Sequence, residues 1–168
     1  MKLDLTPPTG TKHTLFPKTA KELKEMIKSE IEKNGYECSL NHIDVSEIYD
    51  MPYLFCHSAF NGDISQWDVS NVTNMQYMFY KSEFNGDISN WDVSGAIDMH
   101  SMFNSSKFNQ DISDWDVSGV TDMRYMFWMA KFNQDISNWD VSNVWKYEYI
   151  FGGDCLMKSN KKFQPVFK

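Results

Sequence analysis

FNGDISQWDVSNVTNMQYMFYKSE, Phe60 to Glu83, is the first of four near-identical stretches in this chain. FNGDISNWDVSGAIDMHSMFNSSK follows from Phe84, FNQDISDWDVSGVTDMRYMFWMAK from Phe108 and FNQDISNWDVSNVWKYEYIFGGDC from Phe132. The period is 24 residues, without insertion or deletion between copies. A fixed period of this length marks a stacked-repeat architecture, in which no unit can bury its apolar face alone and neighbouring units supply the core. Phe60, Ile64, Trp67, Val69, Val72, Met75, Met78 and Phe79 are the apolar positions of one unit. Stacked, they predict ladders such as Phe60/Phe84/Phe108/Phe132 and Trp67/Trp91/Trp115/Trp139.

Within each unit, Asp63 to Ser65 predicts a short strand pairing in parallel with the next coil at about 4.8 Å. Thr73 to Phe79, with methionines three apart and Thr73 as N-cap, predicts a short helical or 3-10 segment. The WDVSN between them is rich in turn formers. Ser39 to Ala59 is a worn copy of the same unit, with Ile43 in the register of Trp67 and Leu54-Phe55 in that of Met78-Phe79. The expected fold is therefore an α/β repeat solenoid, a right-handed, leucine-rich-repeat-like stack of about five coils. Its coils are 39–59, 60–83, 84–107, 108–131 and 132–155.

A lead-in and a capping helix precede them in residues 1–38. Pro7, Pro8, Gly10 and Pro17 make residues 1–17 irregular. Thr19 to Glu22 spells a capping box, Leu23, Met26, Ile27 and Ile31 recur at helical spacing, and Asn34-Gly35 is a stop signal. A helix over about 20–33 is expected to cover the first coil, with Lys21 and Glu25 paired on its polar face. Residues 156–168 form a C-terminal cap, in which Phe163, Pro165, Val166 and Phe167 are expected to cover the other end.

The chain has 168 residues and a net charge of −7, unevenly spread. Residues 1–59 carry 7 basic and 9 acidic groups, residues 60–155 carry 5 and 14, and the last 13 carry four lysines and no acid. An acidic repeat body repels phosphate backbones and excludes nucleic acid as the expected partner. Cys38, Cys56 and Cys155 lie far apart, without metal-type spacing, which fits free thiols in a reducing compartment. No apolar run is long enough to span a membrane. The N-terminal residues have no leader-like apolar core. As written, the chain is expected in the cytosol or exported without a leader, or at the cell surface if a leader has been removed.

The pattern F-N-x-D-I-S-x-W-D-V-S-N-V-T-x-M-x-x-M-F resembles the repeat of the BspA-like leucine-rich-repeat family of bacterial surface proteins and lipoproteins. The resemblance covers residues 39–155, about 70% of the chain. It implies a right-handed solenoid with strand and helical segment on opposite faces, and a role in binding other macromolecules rather than catalysis. It implies no active site. The leader, lipid anchor and cell-wall signal of the surface members are absent from this sequence.

Two aspartate columns, Asp63/Asp87/Asp111/Asp135 and Asp68/Asp92/Asp116/Asp140, invite a calcium reading. Like charges at coil spacing repel by about 0.9 kcal/mol in water, and more near a protein surface, so something must offset them. Acceptance of backbone N–H groups from each carboxylate's own turn is the preferred explanation. The glycine-rich pattern of calcium-binding repeats is missing. The tryptophans share a register with Ile43, which favours burial over a stacking platform. The methionine pairs read as adaptable core filling.

His13, His42, His57 and His100 share no column or metal-type spacing, and neither a nucleophile elbow nor a phosphate loop is present. Repetition itself argues against catalysis, since an active site needs one unlike constellation. No enzyme and no cofactor are expected. The variable positions carry more information. One column reads Gln76, His100, Arg124, Glu148; the next variable column reads Tyr80, Asn104, Trp128, Gly152; its neighbour reads Lys81, Ser105, Met129, Gly153. Tyr80, His100, Arg124, Trp128 and Met129 are the candidate binding residues, since interface anchors favour Trp, Tyr and Arg. The expected protein is a monomeric, non-catalytic interaction module, of adhesin or effector type if exported. An intracellular immunity or inhibitor protein and a calcium-stabilised structural segment are the alternatives.

Overall fold

The computed structural model describes residues 12–167, so most of the irregular lead-in expected over 1–17 lies outside the described residues. Helix α1 spans Ala20–Asn34. The Thr19 hydroxyl accepts the Glu22 N–H at 3.2 Å, while the Glu22 carboxylate accepts the Lys18 N–H at 2.7 Å. Gly35, at φ 85°, ends the helix and donates to the Ile31 carbonyl. Leu23 and Ile27 are buried against the first coil and Lys21 pairs with Glu25 on the outer face.

The expected α/β solenoid of strand-plus-helix coils is not what the chain forms. Apart from α1, the described residues contain only two short 3-10 turns, Leu156–Ser159 and Lys161–Phe163. Strand pairing is reduced to isolated parallel bridges, Asp50↔Asn74↔Asp98↔Asp122↔Lys146 and Leu15↔Ile43, and these residues form no sheet. At the predicted strand, the Asp63 carboxylate takes the Ser65 N–H at 2.9 Å and Trp67 N–H closes a turn onto the Ile64 carbonyl. A side chain that bonds its own backbone two residues on withdraws that amide from any ladder. Within the predicted helical segment, Tyr77 has φ 54°, which no right-handed helix accommodates, and Lys81 just beyond it has φ 51°. Three overlapping turns, Met75–Met78, Tyr77–Tyr80 and Phe79–Ser82, take its place.

Coils are held together by two different devices. On the turn face, the N–H groups of Met75, Tyr77, Phe79 and Lys81 donate to the carbonyls of Asp98, His100, Met102 and Asn104 in the next coil, at 2.9–3.0 Å. The same alternating row of four recurs at every junction between coils. On the opposite side, side chains make the links. The Asn61, Asn85 and Asn109 side-chain oxygens accept the N–H of Asn85, Asn109 and Asn133 at 2.7–2.8 Å. Each ladder tryptophan donates its indole N–H to a carbonyl of the preceding coil, Trp67 to Leu40, Trp91 to Ile64, Trp115 to Ile88 and Trp139 to Ile112, at 3.0–3.1 Å.

Between these walls runs a continuous core. The tryptophans of the ladder, Trp67, Trp91, Trp115 and Trp139, are 4–6% exposed. Phe60, Phe84, Phe108 and Phe132 stack at 6.2–6.3 Å, and a second phenylalanine ladder, Phe55/Phe79/Phe103/Phe127/Phe151, stacks at 5.5–5.8 Å. Each such side chain contributes about 1.5–3 kcal/mol by burial. At the far end Met157 and Pro165 are buried, and the Phe163 carbonyl accepts the Ile136 N–H at 3.0 Å. Val166, expected there as cover, is exposed instead.

Candidate interaction face

The turn face presents outward the columns that change from coil to coil. Its geometry follows from two left-handed positions per coil. Tyr53, Tyr77, Ser101, Tyr125 and Tyr149 have φ of 54–59°. His57, Lys81, Ser105 and Met129 have φ of 51–58°, and Gly153 takes the same place in the last coil. For residues other than glycine this conformation costs roughly 1–2 kcal/mol each. The inter-coil hydrogen bonds and the buried methionines and phenylalanines beside each site hold it there.

The outcome is an aromatic row that the sequence reading had missed. Tyr53 stacks on Tyr77 at 4.7 Å, Tyr77 meets the His100 ring at 5.0 Å, and Tyr125 stacks on Tyr149 at 5.1 Å. His100, from the adjacent column, bridges the gap that Ser101 leaves, with its Nε2 2.8 Å from the Tyr77 hydroxyl. The signal was present in the sequence, as tyrosine at one register in four of five coils. Tyr149 and Trp145 are 60% and 66% exposed.

Beneath the row lies a charged knot around Asp122, whose side chain is 3% exposed. Arg124 grips it with Nε at 3.0 Å from Oδ1 and a terminal nitrogen at 2.6 Å from Oδ2, and Lys146 stands 3.6 Å from Oδ2. Burial pushes the Asp122 carboxyl up, but the hydrogen bonds from Arg124 outweigh it and hold the group below the usual carboxylate range. His100 Nδ1 lies 3.8 Å from Asp122 Oδ1, too far for a hydrogen bond. Burial outweighs the nearby carboxylate and pushes the imidazole down, so it is neutral at pH 7.

The five residues predicted to bind are all on this face, in two groups. Tyr80 packs edge-on against His57 and Tyr77 at the first coils. His100, Arg124, Trp128 and Met129 lie toward the last coils. Arg124 is committed to Asp122, and Trp128 covers Gly152, where an added Cβ would fall about 2 Å from the indole. Both therefore have internal partners, and Met129 is the most exposed of the five, at 49%.

The aspartate columns lie away from this face and are turn acceptors. Asp63, Asp87, Asp111 and Asp135 each take the N–H of the serine two residues on at 2.9–3.0 Å, as do Asp68, Asp92, Asp116 and Asp140 at 3.0–3.1 Å. Hydrogen bonds from these serines hold Asp111, Asp116 and Asp135 below the usual range. Among the described residues no group of three or more His, Cys, Asp or Glu side chains is placed to hold a metal ion. The thiols of Cys38, Cys56 and Cys155 are free, and burial raises each. No helix among the described residues is long and apolar enough to cross a membrane.

The chain belongs to the family described as Mycoplasma protein of unknown function, DUF285, which it matches over residues 21–107 and again over 80–164. The two matches overlap within the repeats and together take in α1 and every coil. No curated protein and no solved structure matches the chain.

Proposed function

We propose that this protein is a non-catalytic module that binds another protein through its turn face. One observation carries the reading: the outward columns of that face change residue from coil to coil, and what they display is Tyr, Trp and Arg, partly exposed, beside the largely covered His100. Such side chains dominate binding energy at protein interfaces, because they offer large area with little conformational freedom to lose. The functional implication of the BspA-like repeat pattern, binding of macromolecules, points the same way, although its strand-and-helix architecture does not apply. An adhesin- or effector-like role is the first form this takes.

Tyr53→Ser together with Met129→Ser tests it. Both positions are exposed, and serine already occupies both registers at Ser101 and Ser105. The double variant should melt within about 3 °C of the parent, since surface changes cost less than about 0.5 kcal/mol. It should lose most of the partner captured from the source cell by the parent chain. Undiminished capture would refute the turn face as the binding surface.

A further inference from the structure

At every junction between coils, a row of four N–H groups on the turn face is answered by four carbonyls of the following coil. The two end coils break this pattern in opposite ways. Among the described residues, the N–H groups of Tyr147, Tyr149, Phe151 and Gly153 have no acceptor. The carbonyls of Asp50, Pro52, Leu54 and Cys56, in the same register, have no donor. A fifth bond of the opposite sense also links each pair of coils, from Thr73 N–H to the Tyr49 carbonyl at the first junction and from Trp145 N–H to the Thr121 carbonyl at the last. It too is left open at both ends, as the Tyr49 N–H and the Trp145 carbonyl. Unanswered backbone rows are templates for pairing with another chain.

Side chains mark the same two ends. Among the described residues, every large apolar side chain that stands exposed belongs to one end of the stack or the other, except Ile97 and Met129. On the turn face these are Tyr49 and Tyr53 at the first coil, and Trp145, Tyr147 and Tyr149 at the last. Tyr53 and Tyr149 also end the aromatic row, each stacked on its inner neighbour, Tyr77 and Tyr125. The caps do not seal these margins. Asp50 lines a groove of about 230 Å³ beside the first turn of α1, and Leu54 and Cys56 line one of about 470 Å³ along the flank that carries Lys24 and Lys28. At the far end Phe163 holds Ile136 on another side of the coil, and Phe167 stacks on Tyr147 at 5.0 Å.

We propose that these ends join copies of this chain head to tail, the last coil of one copy donating to the first coil of the next. Two like ends do not fit, since donors would face donors or carbonyls face carbonyls. An extended foreign segment fits less well than a second copy. The carbonyls answered within the stack come from overlapping turns with left-handed residues between them, and the first coil holds that conformation ready, at Tyr53 and His57. It also brings the Tyr49 N–H that the Trp145 carbonyl lacks, and the Tyr53 ring that continues the row beyond Tyr149. Such a contact is heterologous and propagates as an open chain. The caps confine it to one margin, which places it among small, transient interfaces, so the monomer expected from the sequence is its dilute state. One pair opposes it. Gln76 donates to the Asp98 carboxylate of the following coil at 2.6 Å, whereas Glu148, in the register of Gln76, meets Asp50 across the join.

The full chain, followed by sedimentation from micromolar to millimolar concentration, should grow in mass without a plateau at the dimer. Over the same range the amides of Tyr147, Tyr149, Phe151 and Gly153 should exchange more slowly. Trp145→Lys and Tyr49→Glu, both at exposed positions, should each weaken association roughly tenfold. The chain carrying both should recover it, since the new cation of one copy then faces the new carboxylate of the next. Glu148→Gln should tighten association roughly tenfold by repeating the Gln76–Asp98 contact across the join. Recovery and tightening are outcomes that a damaged fold does not produce. A chain that stays monomeric to millimolar concentration would overturn the proposal, and so would a plateau at the dimer, which marks a like-with-like contact. Association that leaves the four amides unprotected, or a double variant as weak as the singles, would overturn it too. Unchanged association in Glu148→Gln would overturn the register. None of these variants touches Tyr53 or Met129, so the result stands apart from partner capture by the turn face.

Discussion

The FNxDISxWDVS half of each coil and the MxxMF half that follows do the same job by opposite means. In the first, side chains join the coils through asparagine oxygens and indole N–H groups, above aspartate-bound turns that stay within each coil. In the second, backbone joins backbone, four bonds to a row, and the side chains between the buried Met and Phe are released from that duty. This is why the first half hardly varies across four copies while the second carries Gln76, His100, Arg124 and Glu148 at one register. Variation is tolerated where the main chain does the holding, and surfaces that must discriminate between partners are built there.

Several substitutions would break or sharpen this contrast. Phe103 is fully buried and touches both phenylalanine ladders, so Phe103→Ala should cost about 3–5 kcal/mol in denaturant unfolding. A smaller loss would mean that the coils can close around the hole. Arg124→Ala leaves the buried Asp122 with Lys146 as its remaining cation, and should cost about 1.5–3 kcal/mol. Adding Asp122→Asn should recover part of that loss, whereas a cost unchanged in the double variant would show that Arg124 acts through packing.

Asn85→Ala removes the acceptor of the Asn109 N–H and should cost about 1 kcal/mol. On the turn face, Lys81→Gly relieves a left-handed residue without touching an inter-coil bond and should raise stability by up to about 1 kcal/mol. If both variants destabilise equally, the division between side-chain and backbone stacking is wrong.

Acid should act mainly on the first half. Asp111, Asp116 and Asp135 have folded-state carboxyls below their unfolded value, so they contribute stability that is complete above about pH 4 and lost as pH falls below it. His100 adds an earlier and shallower loss. Its folded value lies below the unfolded one near 6.5, so the unfolded chain takes up the proton first as pH falls through that value. His100→Asn should remove that shoulder from a plot of melting temperature against pH and leave the acid limb in place.

Much of the architecture was legible before any coordinates. The period, the five coils, α1 with its Thr19 cap and Gly35 stop, and the inward columns all follow from spacing and apolarity. The conformation of the coil did not. Asp63-Ile64-Ser65 has the alternation of a strand, but its carboxylate bonds Ser65 and turns the chain. Thr73 to Phe79 has helical methionine spacing, but Tyr77 takes a left-handed angle that tyrosine does not advertise; only Gly153 spells it out. The five candidate residues were drawn together on the turn face by variability alone. Their internal commitments, Arg124 to Asp122 and Trp128 to Gly152, depend on contacts 2 and 24 residues away that no local pattern records.

The uniform 24-residue spacing has a consequence for how such a molecule changes over generations. Copies this alike invite unequal crossing-over, and cutting or pasting one whole unit brings Asn opposite Asn and Trp above Trp, with both caps intact. The protein can thus lengthen or shorten its display in whole steps, each step delivering a fresh set of outward residues onto a frame that needs no redesign.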